Sequence, residues 1–273
     1  MAKIIVVLGA TGIQGGAVAA KFLWRRSNLC CHKLLGTVLQ KGDRVTGEYA
    51  AAIEIRRGKA IVDAAAKVLH EEGKLERFIW STLPSFKELS KGKYSYAYHF
   101  DAKAEVTTYL QQEQKDLWEK SSLLNMGIYT TNVKEYGDSF GLKKKGEYIY
   151  HNASPNAAEH PFVVPTDAGA FAELLVRSPP KQDLLGVSEA ANLVTFFEIW
   201  GQVTGNKVTC EVVTVEAHDR ARPGGLGREA AESMACSAEF GWGDLVLPKD
   251  LDSNFKVTSI KEYIESEYWS EYR

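Results

Sequence analysis

Residues 3–8 (KIIVVL) form a nearly unbroken apolar run rich in β-branched side chains, the pattern of a parallel strand covered on both faces. Glycines follow at once, and Val18, Phe22 and Leu23 then fit one face of a helix from about Ile13 to Trp24. Lys33 to Leu39 (KLLGTVL) predicts a second strand, weakened by Gly36 at its centre. Residues 50–72 predict a long helix with Ile53, Ile61, Ala64, Ala65 and Val68 on its inner face and Gly73 as its stop. Arg77 to Trp80 (RFIW) reads as a short buried strand. Tyr98 to Gln114 reads as a helix that turns Val106, Tyr109 and Leu110 inward, and Leu123 to Ile128 (LLNMGI) as the next strand.

Strand and helix alternate as far as residue 131, the signature of right-handed βαβ crossovers. The expected fold class is α/β, a Rossmann-type parallel sheet with helices on both faces plus a smaller C-terminal α+β lobe. The dinucleotide-binding domain is expected over residues 1–131, with 166–188 returning to it; residues 132–165 and 189–273 form the smaller lobe. In that lobe short strands are expected at Glu147 to Tyr150 and Phe162 to Val164, and within 166–188 a helix at Thr166 to Arg177 and a strand at Leu184 to Ser188. Thr195 with Glu198, and Ser259 with Glu262, have the spacing of capping boxes that open helices. Val208, Cys210 and Val212 alternate as a half-buried strand does, and a helix over Arg228 to Phe240 follows.

Composition changes this picture little but excludes several classes. Hydrophobic residues are 45% and charged residues 25% of the chain, as in ordinary globular proteins. No apolar run reaches the roughly 18 residues a membrane helix needs. The short run before Gly9 lacks a signal-peptide core, so a cytoplasmic protein is expected. A net charge of −2 argues against direct nucleic-acid binding, which draws on a basic surface. The basic clusters Arg25-Arg26, Arg56-Arg57 and Lys143-Lys144-Lys145 read as solvated faces. Cys30, Cys31, Cys210 and Cys236 have no CxxC spacing and read as reduced thiols. The six histidines include no HExxH, and no metal site is expected.

The strongest chemical signal is the turn Gly9, Ala10, Thr11, Gly12, Ile13, Gln14, Gly15 between a buried strand and a helix. Glycines there permit a tight turn and let backbone amides approach a diphosphate at the helix N-terminus. The spacing is GxxGxxG rather than GxGxxG, a longer turn of the kind found in short-chain dehydrogenase relatives. The cofactor is chosen after the second strand, where an acidic residue holds a ribose hydroxyl and a basic one a 2′-phosphate. Lys41 and Arg44 there favour NADP over NAD.

With these residues in view, the chain resembles the NmrA-like family, atypical relatives of the short-chain dehydrogenases/reductases. GATGIQGG at 9–16, RRGKAIVDAAAK at 56–67, FIWSTLPS at 78–85, YHFDAKAEVTTYL at 98–110 and GIYTTN at 127–132 carry the resemblance. It continues through HPFVVPTDAGAF at 160–171 and SIKEYIESEYW at 259–269, and HFDAK is its most specific element. The resemblance implies NADP(H) or NAD(H) binding, and either reduction of a small molecule or redox sensing with a regulatory protein partner such as a transcription factor.

The resemblance also implies roles. Where active short-chain dehydrogenases carry Tyr-x-x-x-Lys, this chain has His99 and Lys103. Lys103 would bond the nicotinamide ribose. His99 is either a general acid in place of the phenol or a helix-surface histidine. Ser81 either orients a substrate carbonyl or caps a loop. Gly127, Ile128, Tyr129 and Asn132 match the segment lining the nicotinamide side, with core packing the other reading of Tyr129. Phe140, Tyr148, Tyr150 and Phe162 are either an apolar substrate wall or core of the smaller lobe. Against a complete family member, residues 40–52 read as a bridge across a deletion of most of the third and fourth strands.

Overall fold

The computed structural model describes residues 43–137, 142–145, 147–222 and 226–270. The strand, glycine turn and helix expected over residues 3–24, the strand at 33–39, Lys41 and Phe140 lie outside the described residues.

One sheet is parallel throughout, in the order β1 (Phe78–Thr82), β2 (Ser121–Met126), β7 (Asp183–Gly186). β2 is buried at every position, and alternation sends its side chains into two cores. Leu123 joins Val62, Ala66, Val106, Leu110 and Leu117, supplied mainly by helices α1 (Asp43–Glu72) and α3 (Tyr98–Glu113). Leu124 joins Phe171, Leu174, Leu175 and Leu184, where α6 (Ala168–Arg177) packs. Helices thus cover both faces of the sheet, as the alternating pattern predicts. Two single-turn helices, α2 (Phe86–Leu89) and α4 (Lys115–Trp118), sit in the connections.

α1 departs from its sequence reading in two ways. It is already helical at Asp43, ahead of its expected start at residue 50; Gly73, at φ +64, ends it as expected. Its buried face is also rotated: Val68 is exposed, and the buried line runs through Gly58, Val62 and Ala66, flanked by Ile55 and Leu69. Close approach is the cause. A Cβ on Gly58 would stand 2.6 Å from Val106 Cγ2, and one on Gly47 would overlap the Tyr98 ring. The helices meet along glycines, and the larger aliphatics fall to either side.

Two further sheets are present among the described residues. β3 (Ile128–Tyr129) runs parallel to β6 (Glu159–Val163), which pairs antiparallel with β8 (Glu189–Asn192). β5 (Glu147–Asn152) lies between β4 (Leu142–Lys145) and β9 (Val208–Val212). The strand expected over Leu123 to Ile128 is therefore two strands in two sheets. Gly127 is the break: its N–H donates to Gly186 O at 3.0 Å, and the space a Cβ would need is taken by the Pro161 carbonyl.

Helices α5 (Asn132–Tyr136), α7 (Leu193–Thr204), α8 (Val215–Ala221), α9 (Leu226–Phe240), α10 (Pro248–Leu251) and α11 (Ile260–Ser266) complete the described chain. The lobe's core gathers Tyr148, Tyr150, Phe162, Phe196, Trp200, Tyr263 and Trp269, so those three wall candidates are core. Ser259 and Glu262 form the expected capping box. Thr195 does not cap α7; the helix opens at Leu193, and the Asn192 side chain accepts from Thr195 N at 2.9 Å. Among the described residues no helix is long and apolar enough to cross a membrane, and no group of His, Cys, Asp and Glu is placed to hold a metal ion. Cys210 and Cys236 are free thiols.

Candidate functional site

The HFDAK segment forms the first turns of α3, and each side chain has a distinct partner. Phe100 stacks on Phe86 with ring centroids 3.8 Å apart and meets Trp242 edge-on at 5.3 Å. Asp101 accepts from Ser85 Oγ at 3.0 Å and Lys87 N at 3.1 Å, which fixes the turn after β1. Ala102 is buried. These three seat the helix, and His99 and Lys103 are left to face neighbouring helices.

His99 meets α9. Glu229 Oε1 lies 2.5 Å from His99 Nδ1 and accepts His99 N–H at 3.0 Å. Burial pushes the Glu229 carboxyl up, but the hydrogen bonds and charge of His99 outweigh it and hold the group below the usual glutamate range. With Nδ1 committed, Nε2 is the ring nitrogen open to a ligand. Tyr98, one residue earlier, does not replace the phenol missing at position 99. It packs on Gly47, its hydroxyl has no hydrogen-bond partner among the described residues, and burial pushes it up to about 12.

Lys103 meets α1, where its ammonium pairs with Glu54. Its backbone is tied to the end of β1: Thr82 Oγ1 donates within 3.2 Å of Lys103 O and lies 2.7 Å from Thr107 Oγ1. Phe78 and Trp80 pack on the α1/α3 side of the sheet and Ile79 on the α6 side. Alternation then puts Thr82 on the α3 side and Ser81 on the α6 side. Ser81 sits one residue before the strand's end, opposite Leu124, and the hydroxyl that reaches Lys103 is Thr82's.

Ile128, Tyr129 and Asn132 come together elsewhere. With Val133, Tyr150, Phe162 and others they line a cavity of ≈ 20 Å³, room for about one water. None of Ser81, His99 and Lys103 lines it. An open cleft of ≈ 400 Å³ lies beyond β1, edged by Glu88, Asp183 and Asp244; three carboxylates make it unfavourable for a diphosphate. Arg44, one of the two basic residues expected to select NADP, lies in the first turn of α1. Its Nε donates to Tyr96 OH at 3.3 Å, and its guanidinium pairs with Glu48.

Glu54, Thr82 and Glu229 are the polar partners that sequence reasoning missed. Glu54 and Glu229 stand 49 and 130 positions from the side chains they hold, and no local spacing signals such pairs. Strand alternation counted from RFIW would have found Thr82.

Parallel strands with helices on both faces and an attached smaller lobe define a Rossmann-type α/β protein. The solved structures it resembles bear this out. NmrA, a negative transcriptional regulator, in complex with NADP matches with a TM-score of 0.60 at 18% identity, over 94% of this chain and 92% of that one. NmrA in complex with NAD gives 0.59 at 17%, over 94% and 92%. The ternary complex of leucoanthocyanidin reductase from Vitis vinifera gives 0.59 at 15%, over 94% and 96%. The model of the NmrA-like family matches residues 26–273, and the chain belongs to that family. The matched span starts after the glycine turn, so the turn stands on its own sequence pattern.

Proposed function

We propose that this chain binds NADP(H) and acts as an oxidoreductase on a small, apolar or aromatic molecule. The observation that carries the reading is the pair on α3. An ammonium and an imidazole lie one turn apart, with the lysine backbone pinned to the C-terminal end of a parallel strand, the edge at which open α/β sheets take ligands. Lysine and imidazole N–H groups suit a ribose diol and a substrate oxygen, so the residues present fit a nicotinamide dinucleotide.

In this reading the amides of residues 9–15 cradle the diphosphate, and Lys41 favours the 2′-phosphate. Lys103 orients the ribose, and Ile128, Tyr129 and Asn132 flank the nicotinamide. His99, with Glu229 on Nδ1, donates a proton from Nε2. Ser81 faces the other side of β1, which leaves it a part in shaping the strand end. A bound NADPH would supply the hydride.

A second reading is a dinucleotide sensor that regulates a protein partner without turnover. Two observations favour it: Lys103 is already paired, and the cavity beside Tyr129 is too small for a substrate. Incubating the protein with NADPH and a panel of enones, quinones and aldehydes separates the two. NADPH oxidation that falls at least tenfold in Lys103→Ala is expected for the enzyme. Cofactor binding with no oxidation on any substrate would replace the oxidoreductase by the sensor.

A further inference from the structure

The pairing of Lys103 is not incidental to how α1 lies on α3. Gly47 against Tyr98 and Gly58 against Val106 fix the two helices in register, three helical turns apart along α1. Lys59 reaches Glu105 at 2.8 Å, and Asp63 accepts from Tyr109 OH at 2.6 Å and Gln114 Nε2 at 2.9 Å. Glu54 lies between the two glycine contacts and is carried to Lys103 by that register.

We propose that Glu54 is a positioning residue that competes with the dinucleotide for Lys103, so that α1 sets the affinity of the cofactor site. This rests on the reading that Lys103 bonds the nicotinamide ribose. A carboxylate is a stronger acceptor for an ammonium than a neutral hydroxyl, so the ribose must either displace Glu54 or share the ammonium with it. The side chains of Lys103 and Glu54 are 30% and 35% exposed. Water can therefore take over the released carboxylate, and the exchange is reversible. Partly exposed ion pairs are weak, which limits the penalty to about a two- to fivefold loss of affinity.

The test is NADPH binding by the full chain as wild type, Glu54→Gln, Lys103→Ala and the double variant, followed by quenching of tryptophan fluorescence. Glu54→Gln is expected to bind about two- to fivefold more tightly and Lys103→Ala more weakly, with the double variant equal to Lys103→Ala alone. A merely structural Glu54 would weaken binding when replaced. If Glu54→Gln is poorly folded by circular dichroism, Glu54→Asp, whose shorter side chain withdraws from the ammonium, is expected to fall between wild type and that gain. Wild-type binding that Lys103→Ala weakens, but that neither Glu54 variant tightens, overturns the competition and leaves the cofactor site standing. Absence of binding in wild type and in the Glu54 variants overturns both.

Discussion

Trp200→Ala is expected to lower the stability of the protein by about 3–5 kcal/mol, the cost of removing a large aromatic from a closed core. Trp200 is fully buried on α7. Its ring meets Tyr148 at 5.3 Å, Trp269 at 6.0 Å and Phe197 at 6.3 Å, each edge to face. It thereby joins β5, α7 and the segment after α11. Against the 5–15 kcal/mol that usually separates folded from unfolded chains, such a loss removes much of the margin. Urea unfolding followed by circular dichroism measures it. A loss below about 1 kcal/mol would mean that the smaller lobe is not packed around this side chain.

The second large effect is a dependence of stability on acid. His160 on β6 is fully buried, and both of its ring nitrogens lie within hydrogen-bond reach of serine hydroxyls. Trp242 Nε1 donates to Ser237 Oγ at 2.9 Å, and the same oxygen lies 3.0 Å from His160 Nδ1, which accepts the Ser237 hydroxyl proton when the ring is neutral. Ser154 Oγ donates to Asn152 Oδ1 at 2.9 Å and so accepts from His160 Nε2 at 3.1 Å. Burial pushes the imidazole down to about 4 from 6.5. The unfolded chain takes up a proton below about pH 6.5 and the folded chain only near pH 4. The native state therefore keeps this contribution in full above pH 6.5 and loses it as pH falls towards 4, by on the order of 3 kcal/mol. His160→Gln is expected to be less stable than wild type at pH 7.5, with the gap closing as pH falls. Parallel curves from pH 7.5 to 4 would show that His160 is charged or solvated when folded.

Much of this was legible in the sequence because local chemistry decided it. RFIW and LLNM are strands as read, LLNM buried throughout and RFIW only half-buried at the edge of the described sheet; Gly73 ends α1, and Ser259 with Glu262 caps α11. HFDAK announced a helix with His99 and Lys103 on the same side. What stayed hidden depends on contacts between distant segments. Hydrophobic periodicity placed Val68 inside α1 because it ranks side chains by apolarity, whereas the packing selects for absence of bulk at Gly47 and Gly58. Thr195 has the right spacing for a cap, but Asn192 is the residue left with extended backbone at the turn from β8. The break at Gly127 follows from a Pro161 carbonyl that no local pattern foretells. At the site, the motif gave the two candidate side chains and their helix; Glu54 and Glu229, which hold them, lie far away in the chain.

Binding of a nicotinamide dinucleotide by this member of the NmrA-like family underlies every role proposed for His99 and Lys103. Calorimetric titration of the whole chain with NADPH, and separately with NADH, tests it without any knowledge of substrate. Saturable heat at one site per chain, with NADPH the tighter ligand, is the predicted result. No heat with either dinucleotide, from a chain that unfolds cooperatively in urea, would contradict it.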